Sequence, residues 1–379
     1  MRILIVLTYY RPHISGLTLY AQRLAEGLSR RGHHVTVLAS QHAPDLPGEE
    51  MIAGVRVVRV PVAFRVGKGP VMPAFPWYLA RLARESDIVS IHLPQLESGI
   101  AAGVARVAGR PAVLTYHCDL QLPPGAANRA IDTVVFGMNW AAGRAANRIV
   151  AYTHDYARHS RLLSRFPDKI EVIPPPVIPP AESDTSGELR RSLGLEERLV
   201  VGSACRVATE KGLEYLLDSL PLITSDRPVH LLHAGESRNV PGEGDYLRRL
   251  QPLIERYADR VTFLGQLPPE AMHDFFSSLD VLVVSSVNPT ESFGLVQVEA
   301  MMAGTPVVAT DLPGVREPVR MTGMGEVVPV RDAVALAAGI SQVAANPNRY
   351  IHPRDEIVSQ FDLNRTLDAY ERLFHAQVA

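Results

Sequence analysis

Residues 281–310 read Val281-Leu-Val-Val-Ser-Ser286-Val-Asn-Pro-Thr-Glu291-Ser-Phe-Gly294-Leu-Val-Gln-Val-Glu299-Ala-Met-Met-Ala-Gly304-Thr-Pro306-Val-Val-Ala-Thr310. The order is an apolar strand, a loop, a short helix and a second apolar strand. Short continuous apolar runs mark strands buried on both faces, and two of them joined through a helix predict neighbouring parallel strands with the helix packed over the sheet.

The same alternation runs through the chain. A strand from Ile3 to Leu7 leads to a helix from Leu17 to Arg31, closed by Gly32, and to a strand from Val35 to Ala39. Further strands are expected at Val55 to Val60, Asp87 to Leu93, Ala112 to His117 and Arg148 to Tyr152. The run Ile173-Pro-Pro-Pro-Val-Ile-Pro-Pro180 cannot be helix or central strand and reads as an interdomain linker. The pattern then restarts with strands at Leu199 to Ala204, Val229 to Ala234, Val261 to Leu264, Val281 to Ser286 and Val307 to Thr310, each followed by a helical stretch. The expected fold class is α/β, with two facing Rossmann-like doubly wound parallel-sheet domains over 1–178 and 179–362. Ligands of such sheets lie beyond the carboxyl ends of the strands, so the residues just after each strand are the candidates for chemistry. A last helix from Leu363 to Val378 carries Leu367, Tyr370, Leu373 and Phe374 at helical spacing and has no strand after it.

Composition fits this reading. The 379 residues exceed one ordinary core, and 46% hydrophobic with 21% charged residues is the balance of a globular protein. A formal charge of −2 gives no global attraction to nucleic acid, so any anion site is local. Two distant cysteines, Cys118 and Cys205, make a disulfide framework or zinc site unexpected and fit a reducing cytoplasm. The opening Met-Arg-Ile-Leu-Ile-Val-Leu is too short for a signal peptide, and no run approaches the 18 or so apolar residues of a membrane span.

Glu291 falls in the loop before the short helix and Glu299 about one turn inside it. A helix start offers unpaired N–H groups and partial positive charge, which suit an anion. A nucleotide-diphosphate sugar would place its diphosphate there and its sugar and ribose against the two carboxylates. Either glutamate alone has an ordinary explanation, since the dipole favours acidic residues in a first turn and Gly-Thr-Pro is common after a helix. The whole pattern carries the functional reading. It resembles the Glu-x7-Glu signature of the retaining glycosyltransferases of family 4, including the Ser292-Phe293-Gly294 turn and the preceding apolar strand.

The other strand ends extend the resemblance. Thr8 to Leu17 lacks the Gly-x-Gly-x-x-Gly of a nicotinamide-binding domain, which weakens a dehydrogenase reading, and keeps only Gly16 of the glycine pair usual in this family. Thr115-Tyr-His117-Cys-Asp119 is similar to the family's His-x-Asp loop, although Asp119 could equally cap the next turn. Arg206 and Lys211 lie five residues apart in the loop after Leu199 to Ala204, and a rigid fork of donors beside a mobile ammonium suits a diphosphate. No Asp-x-Asp occurs in the chain, so positive side chains would stand where other nucleotide-sugar enzymes use a metal.

The resemblance to family 4 implies the GT-B fold, with the terminal helix over 363–379 crossing back to the first domain. It also implies transfer of a sugar from a UDP- or GDP-linked donor to a glycan, lipid-linked or small-molecule acceptor, with retained anomeric configuration and no metal or other cofactor. On that basis Glu291 binds donor sugar hydroxyls, Glu299 the ribose, and His117 the sugar. Arg206, Lys211, Gly16 and the Ser292-Phe293-Gly294-Leu295 segment take the diphosphate, and Leu267 borders the base. Pro175 and Pro176 replace the Asn-Gly usual at the linker, a departure that puts hinge motion and the acceptor pocket in question. A nucleotide-sugar epimerase, a phosphorylase or a non-catalytic sugar-nucleotide sensor would share the fold.

A stretch with Arg65, Lys68, Arg81 and Arg84 interleaves cations with Phe64, Phe75, Trp77 and Tyr78. It can be read as a basic amphipathic patch lying on anionic lipid, at the inner face of the membrane, or as core aromatics beneath a wet arginine face.

Overall fold

The computed structural model describes residues 1–67, 69–122, 125–179, 187–237, 240 and 242–379. Lys68 and Pro180 lie outside the described residues. The chain forms two compact units, 1–176 with 363–379, and 177–362.

The first unit holds β1 (Arg2–Val6), β2 (His34–Gln41), β3 (Glu49–Ile52), β4 (Val55–Pro61), β5 (Phe64–Val66), β6 (Gly69–Val71), β7 (Ile88–Leu93), β8 (Ala112–Tyr116), β9 (Arg148–Ala151) and β10 (Ile170–Val172). Eight of these make one sheet in the order β10-β9-β8-β7-β1-β2-β4-β3. It is parallel except for β3, which runs antiparallel to β4 with Ile52 opposite Val55. All six residues of β7 are buried, as the apolar reading of that run requires. The helix Gly16–Arg30 starts at a reciprocal capping box between Ser15 and Thr18, and its Tyr20, Leu24 and Leu28 face the core at one-turn spacing.

The terminal helix Leu363–Val378 packs within this unit. Leu367 fills the space beside Gly27, where a Cβ would lie 2.7 Å from its Cδ1. The Tyr370 hydroxyl shares hydrogen bonds with the Tyr20 hydroxyl at 2.7 Å and the Thr115 hydroxyl at 2.8 Å. Arg31 donates to Asp368 and Glu371, both at 2.6 Å, and His33 lies 2.8 Å from the other Glu371 oxygen.

The second unit holds β11 (Leu199–Ala204), β12 (Val229–Ala234), β13 (Val261–Gly265), β14 (Val281–Val284), β15 (Val307–Thr310) and β16 (Gly325–Val328). They form a wholly parallel sheet in the order β13-β12-β11-β14-β15-β16.

The structure corrects the sequence reading in several places. Ser285 and Ser286 fall outside β14, because Ser285 Oγ turns to the Lys211 carbonyl at 2.8 Å and the Ser286 carbonyl accepts from Thr310 Oγ1 at 2.7 Å. His117 and Tyr152 likewise lie just beyond their strands. β4 is followed by the β5–β6 hairpin rather than directly by a helix. The basic stretch divides between the two readings offered for it. Phe75 is core at the start of the helix Phe75–Glu85 and Tyr78 is half-buried, whereas Phe64 and Trp77 are exposed.

Candidate functional site

In the second unit the chain passes from β11 to β12 and β13 on one side, then returns to place β14 against the other side of β11. The ends of β11 and β14 therefore flank the topological switch point, where a doubly wound sheet opens a crevice. Two loops meet there, Cys205 to Gly212 and Ser285 to Gly294. Besides the Ser285 bond, the Val287 N–H donates to the Glu210 carbonyl at 2.9 Å. Gly212 adopts φ +60°, and a Cβ on it would sit 2.5 Å from the Ser285 carbonyl oxygen. Only glycine allows this turn and this approach together.

At this junction Lys211 Nζ donates to the Glu291 carboxylate, and the two side chains are only 20% and 18% exposed. Burial lowers the Lys211 pKa, but Glu291, aided by Cys205 and Glu210, outweighs it and holds the ammonium above its ordinary value. Lys211 is thus a fixed cation at neutral pH. Arg206 stands at the other end of the same loop, half exposed, and donates to Glu210 at 3.1 Å.

The helix Leu295–Met302 begins immediately after the second loop, from Gly294 at φ +76°, and among the described residues no side chain caps it. Its first N–H groups are where the sequence reading expected an anion, and a helix start without a side-chain cap suits one. Gln297 Nε2 donates to the Phe293 carbonyl at 2.7 Å and the Val315 carbonyl at 2.9 Å, which pins the turn from inside. Ser292 and Phe293 are buried, Leu295 and Glu299 half-buried. Lys211, Glu291 and the helix start are therefore brought together. Leu267 is not part of that junction; it follows β13, two strands from β11, and is half-buried.

In the first unit the corresponding switch point lies between β1 and β7. Gly16 opens the helix after β1, and a Cβ there would meet nothing within 4 Å, so its backbone is open. His117 follows β8 and is 5% exposed. Its Nε2 lies 2.9 Å from His92 Nδ1, and its Nδ1 is bonded to the Tyr152 hydroxyl. Tyr20 stacks on Tyr152 and meets His117 edge-on. Burial lowers the His92 pKa to about 3, and burial together with His92 puts His117 well below its usual value. Both imidazoles are neutral at pH 7. Asp119 accepts from the Tyr116 hydroxyl at 2.7 Å, Ser160 Oγ at 2.8 Å and the Arg161 N–H at 3.0 Å, which ties the loop after β8 to the distant Ser160–Arg161 segment rather than capping the turn that follows Asp119.

Sequence reasoning missed a cluster at the same switch point. The Tyr9, His13 and His42 rings lie 4.8 to 5.9 Å apart, and Glu97, 7% exposed, has its carboxyl pKa raised by burial. Applying the strand-end rule to β1, β2 and β7 would have found them. His92 gave no such signal, because it sits inside an apolar strand. Among the described residues no group of three or more His, Cys, Asp or Glu is placed to hold a metal ion, and no helix is long and apolar enough to cross a membrane.

Comparison with known proteins follows the same division of the chain. Residues 15–176 match the family described as Glycosyl transferase 4-like domain, and residues 186–357 match Glycosyl transferases group 1. The chain is 29% identical over 375 residues to the phosphatidyl-myo-inositol mannosyltransferase of Mycobacterium tuberculosis, covering 96% of this chain and 93% of that protein. It is 28% identical over 361 residues to the 2-deoxystreptamine N-acetyl-D-glucosaminyltransferase of Streptomyces fradiae, covering 89% and 84%. Among solved structures, the sucrose-phosphate synthase of Thermosynechococcus elongatus superposes with a TM-score of 0.79 at 24% identity, over 99% of both chains. Anabaena HepE in complex with UDP and glucose gives 0.78 at 21% identity, over 99% of this chain and 100% of that one. These two likenesses establish the GT-B fold.

Proposed function

The chain belongs to the group 1 glycosyltransferases, and on that premise we propose that it moves a hexose from a UDP- or GDP-linked donor, with retained anomeric configuration and without a metal, to a glycan, lipid-linked or small-molecule acceptor. The observation that carries the reading is the Lys211–Glu291 pair at the β11–β14 switch point, beside the open start of the helix Leu295–Met302. A diphosphate needs cations and N–H donors, and a sugar needs a carboxylate to accept from its hydroxyls. All three are within one junction.

In this reading the arriving donor separates the pair. Its diphosphate draws Lys211, joined by Arg206 and the Phe293-Gly294-Leu295 backbone, while Glu291 turns its oxygens to the sugar hydroxyls. As the donor bond breaks, negative charge grows on the leaving phosphate, and the two cations stabilise it in the role a metal plays elsewhere. The leaving phosphate then receives the acceptor's proton. Glu299 takes the ribose, Ser292 supports the diphosphate turn and Leu267 borders the base. Gly16 and His117 keep the phosphate and sugar contacts implied by the resemblance, with the Tyr152–His117–His92 chain fixing the ring plane of His117.

The acceptor is assigned to the first unit, near Tyr9, His13 and His42. For a lipid-linked acceptor the protein would work at the inner, cytoplasmic face of the membrane, with Trp77 and the arginines of the helix Phe75–Glu85 against anionic lipid. The deciding experiment is a thermal-shift panel of UDP-, GDP- and ADP-linked sugars, followed by product analysis with the stabilising donor. Release of the nucleoside diphosphate with a retained glycosidic product supports the proposal. An epimerised donor, or a sugar phosphate released without acceptor transfer, would assign different chemistry to the same fold.

A further inference from the structure

We propose that the first unit carries a second anion site, at the amino ends of its strands, for a ligand bearing two or more phosphate groups. A cavity of about 500 Å³ opens there, lined by Arg106, Arg110, Arg144, Lys169, Asn147 and Gln377 among others, and no carboxylate side chain lines it among the described residues. It lies beside Ala112, the first residue of β8, whereas His117 follows the last residue of that strand. A five-residue strand separates the two by roughly 16 Å, so this cavity is distinct from the crevice at the carboxyl ends.

The cations divide into two groups by what already holds them. Lys169 is committed to structure. Its ammonium donates to the Gly143, Arg144 and Ala146 carbonyls at 3.0, 2.9 and 2.7 Å, neutralising the carboxyl end of the helix Ala126–Ala145. The neighbouring Arg148 is paired with Glu171 at 3.4 Å. Arg106, Arg110 and Arg144 have no carboxylate partner among the described residues. Arg110 donates one Nη to the Arg84 carbonyl at 3.3 Å, and its buried Nε has no partner. Arg144 lies over the Trp140 ring, 5.4 Å from its centre, which orients the guanidinium while leaving its N–H fork available. The Lys169 pKa is lowered by burial and then by Arg144, Arg106 and Arg148, an independent sign that positive charge here is not balanced. Three guanidinium groups with no carboxylate partner among the described residues, gathered around one cavity, exceed what a single phosphate would neutralise, which is why the ligand class is polyvalent.

Such a ligand could be a soluble phosphorylated metabolite or the headgroup of an anionic lipid, and inorganic pyrophosphate and vesicles separate these sources. Calorimetric titration with pyrophosphate is performed on the full chain carrying Lys211→Ala, or saturated with UDP, so that the other anion site does not contribute. Adding Arg106→Ala and Arg144→Ala, both at exposed positions, is expected to weaken the remaining pyrophosphate binding at least ten-fold without lowering the melting temperature. Sedimentation with phosphatidylcholine vesicles containing phosphatidylinositol bisphosphate, whose headgroup carries several phosphates, forms the second arm. Pyrophosphate binding lost in the arginine variant assigns a soluble ligand; vesicle binding lost in that variant, with no pyrophosphate bound, assigns a lipid headgroup. Binding unaltered by the arginine substitutions, or absent in both arms, overturns the proposal.

Discussion

Lys211 Nζ and the Glu291 carboxylate form an ion pair across two loops separated by 80 residues in sequence, at the junction of β11 and β14. Neither charge is fully solvated, so each depends on the other until a ligand replaces it. In the proposed function the pair holds opposite charges ready for a donor with both anionic and hydroxyl-rich parts. Preorganised charge costs no rearrangement when the leaving group develops its own.

Lys211→Ala is expected to lower turnover by roughly 10² to 10³, the range for loss of one electrostatic stabiliser, and to weaken nucleotide-sugar binding. Glu291→Ala and Arg206→Ala should each abolish detectable transfer while circular dichroism and melting stay close to wild type. Steady-state kinetics with the donor identified by thermal shift makes the check. Wild-type turnover in either variant would remove that residue from the mechanism.

If Arg206 and Lys211 supply the positive charge as proposed, turnover should be indifferent to EDTA and to added Mg²⁺ or Mn²⁺. A loss of rate in EDTA that is restored by one of these ions would contradict the metal-free proposal.

Gly212→Ala should cost about 1–3 kcal/mol of stability, from the strain of φ +60° and the close Ser285 carbonyl. Because Lys211 is the adjacent residue, turnover should fall with it. Urea unfolding read beside kcat separates this from Gly32→Ala, which has a similar positive φ but no neighbour within 4 Å and should affect stability alone.

The buried histidines predict acid sensitivity with a definite sign. The unfolded chain protonates histidine near pH 6.5, while folded His92 resists until about pH 3 and His117 is shifted in the same direction. Stability is therefore fully present above about pH 6.5 and declines as pH falls toward 3, by roughly 1.4 kcal/mol per pH unit for each such histidine. Denaturant midpoints at pH 7 and pH 5 measure the slope, and His92→Leu should flatten it. An unchanged slope in that variant would mean the acid loss arises elsewhere.

Glu371 ties the terminal helix to the first unit through Arg31 and His33. Burial raises its carboxyl pKa, but those two partners outweigh burial and bring it below the usual value. Its contribution is present above the unfolded carboxyl range and is lost as pH falls through the lower folded value. Glu371→Gln should cost about 1 kcal/mol at neutral pH and raise the rate of proteolytic cleavage within 363–379. Equal cleavage rates in variant and wild type would show that Tyr370 and Leu367 hold the helix without it.

The central strands were legible because they are apolar on both faces and bounded by turns, as in Ile88–Leu93 and Val307–Thr310. β3 was not, since Glu49-Glu-Met-Ile52 is an exposed edge whose pairing comes from the neighbouring strand rather than from its own composition. β10, three residues long, and β16, which starts at a glycine, offered too little pattern to separate from loop. The Phe75 to Tyr78 stretch shows the same limit, because an aromatic residue has the same identity in a core as on a wet face.

By itself the sequence determined the alternation of strand and helix, the parallel sheets and the residues at the ends of their strands, because these depend on periodicity and on local backbone preference. Tertiary structure alone decided which strand ends meet. Nothing between residues 211 and 291 announces their contact; it follows from β14 returning to the free side of β11. The pairing of His92 with His117, and the gathering of Arg106, Arg110 and Arg144 around one cavity, have the same origin. Contacts between distant segments are fixed by strand order, which arises from packing the whole sheet rather than from any segment's own pattern.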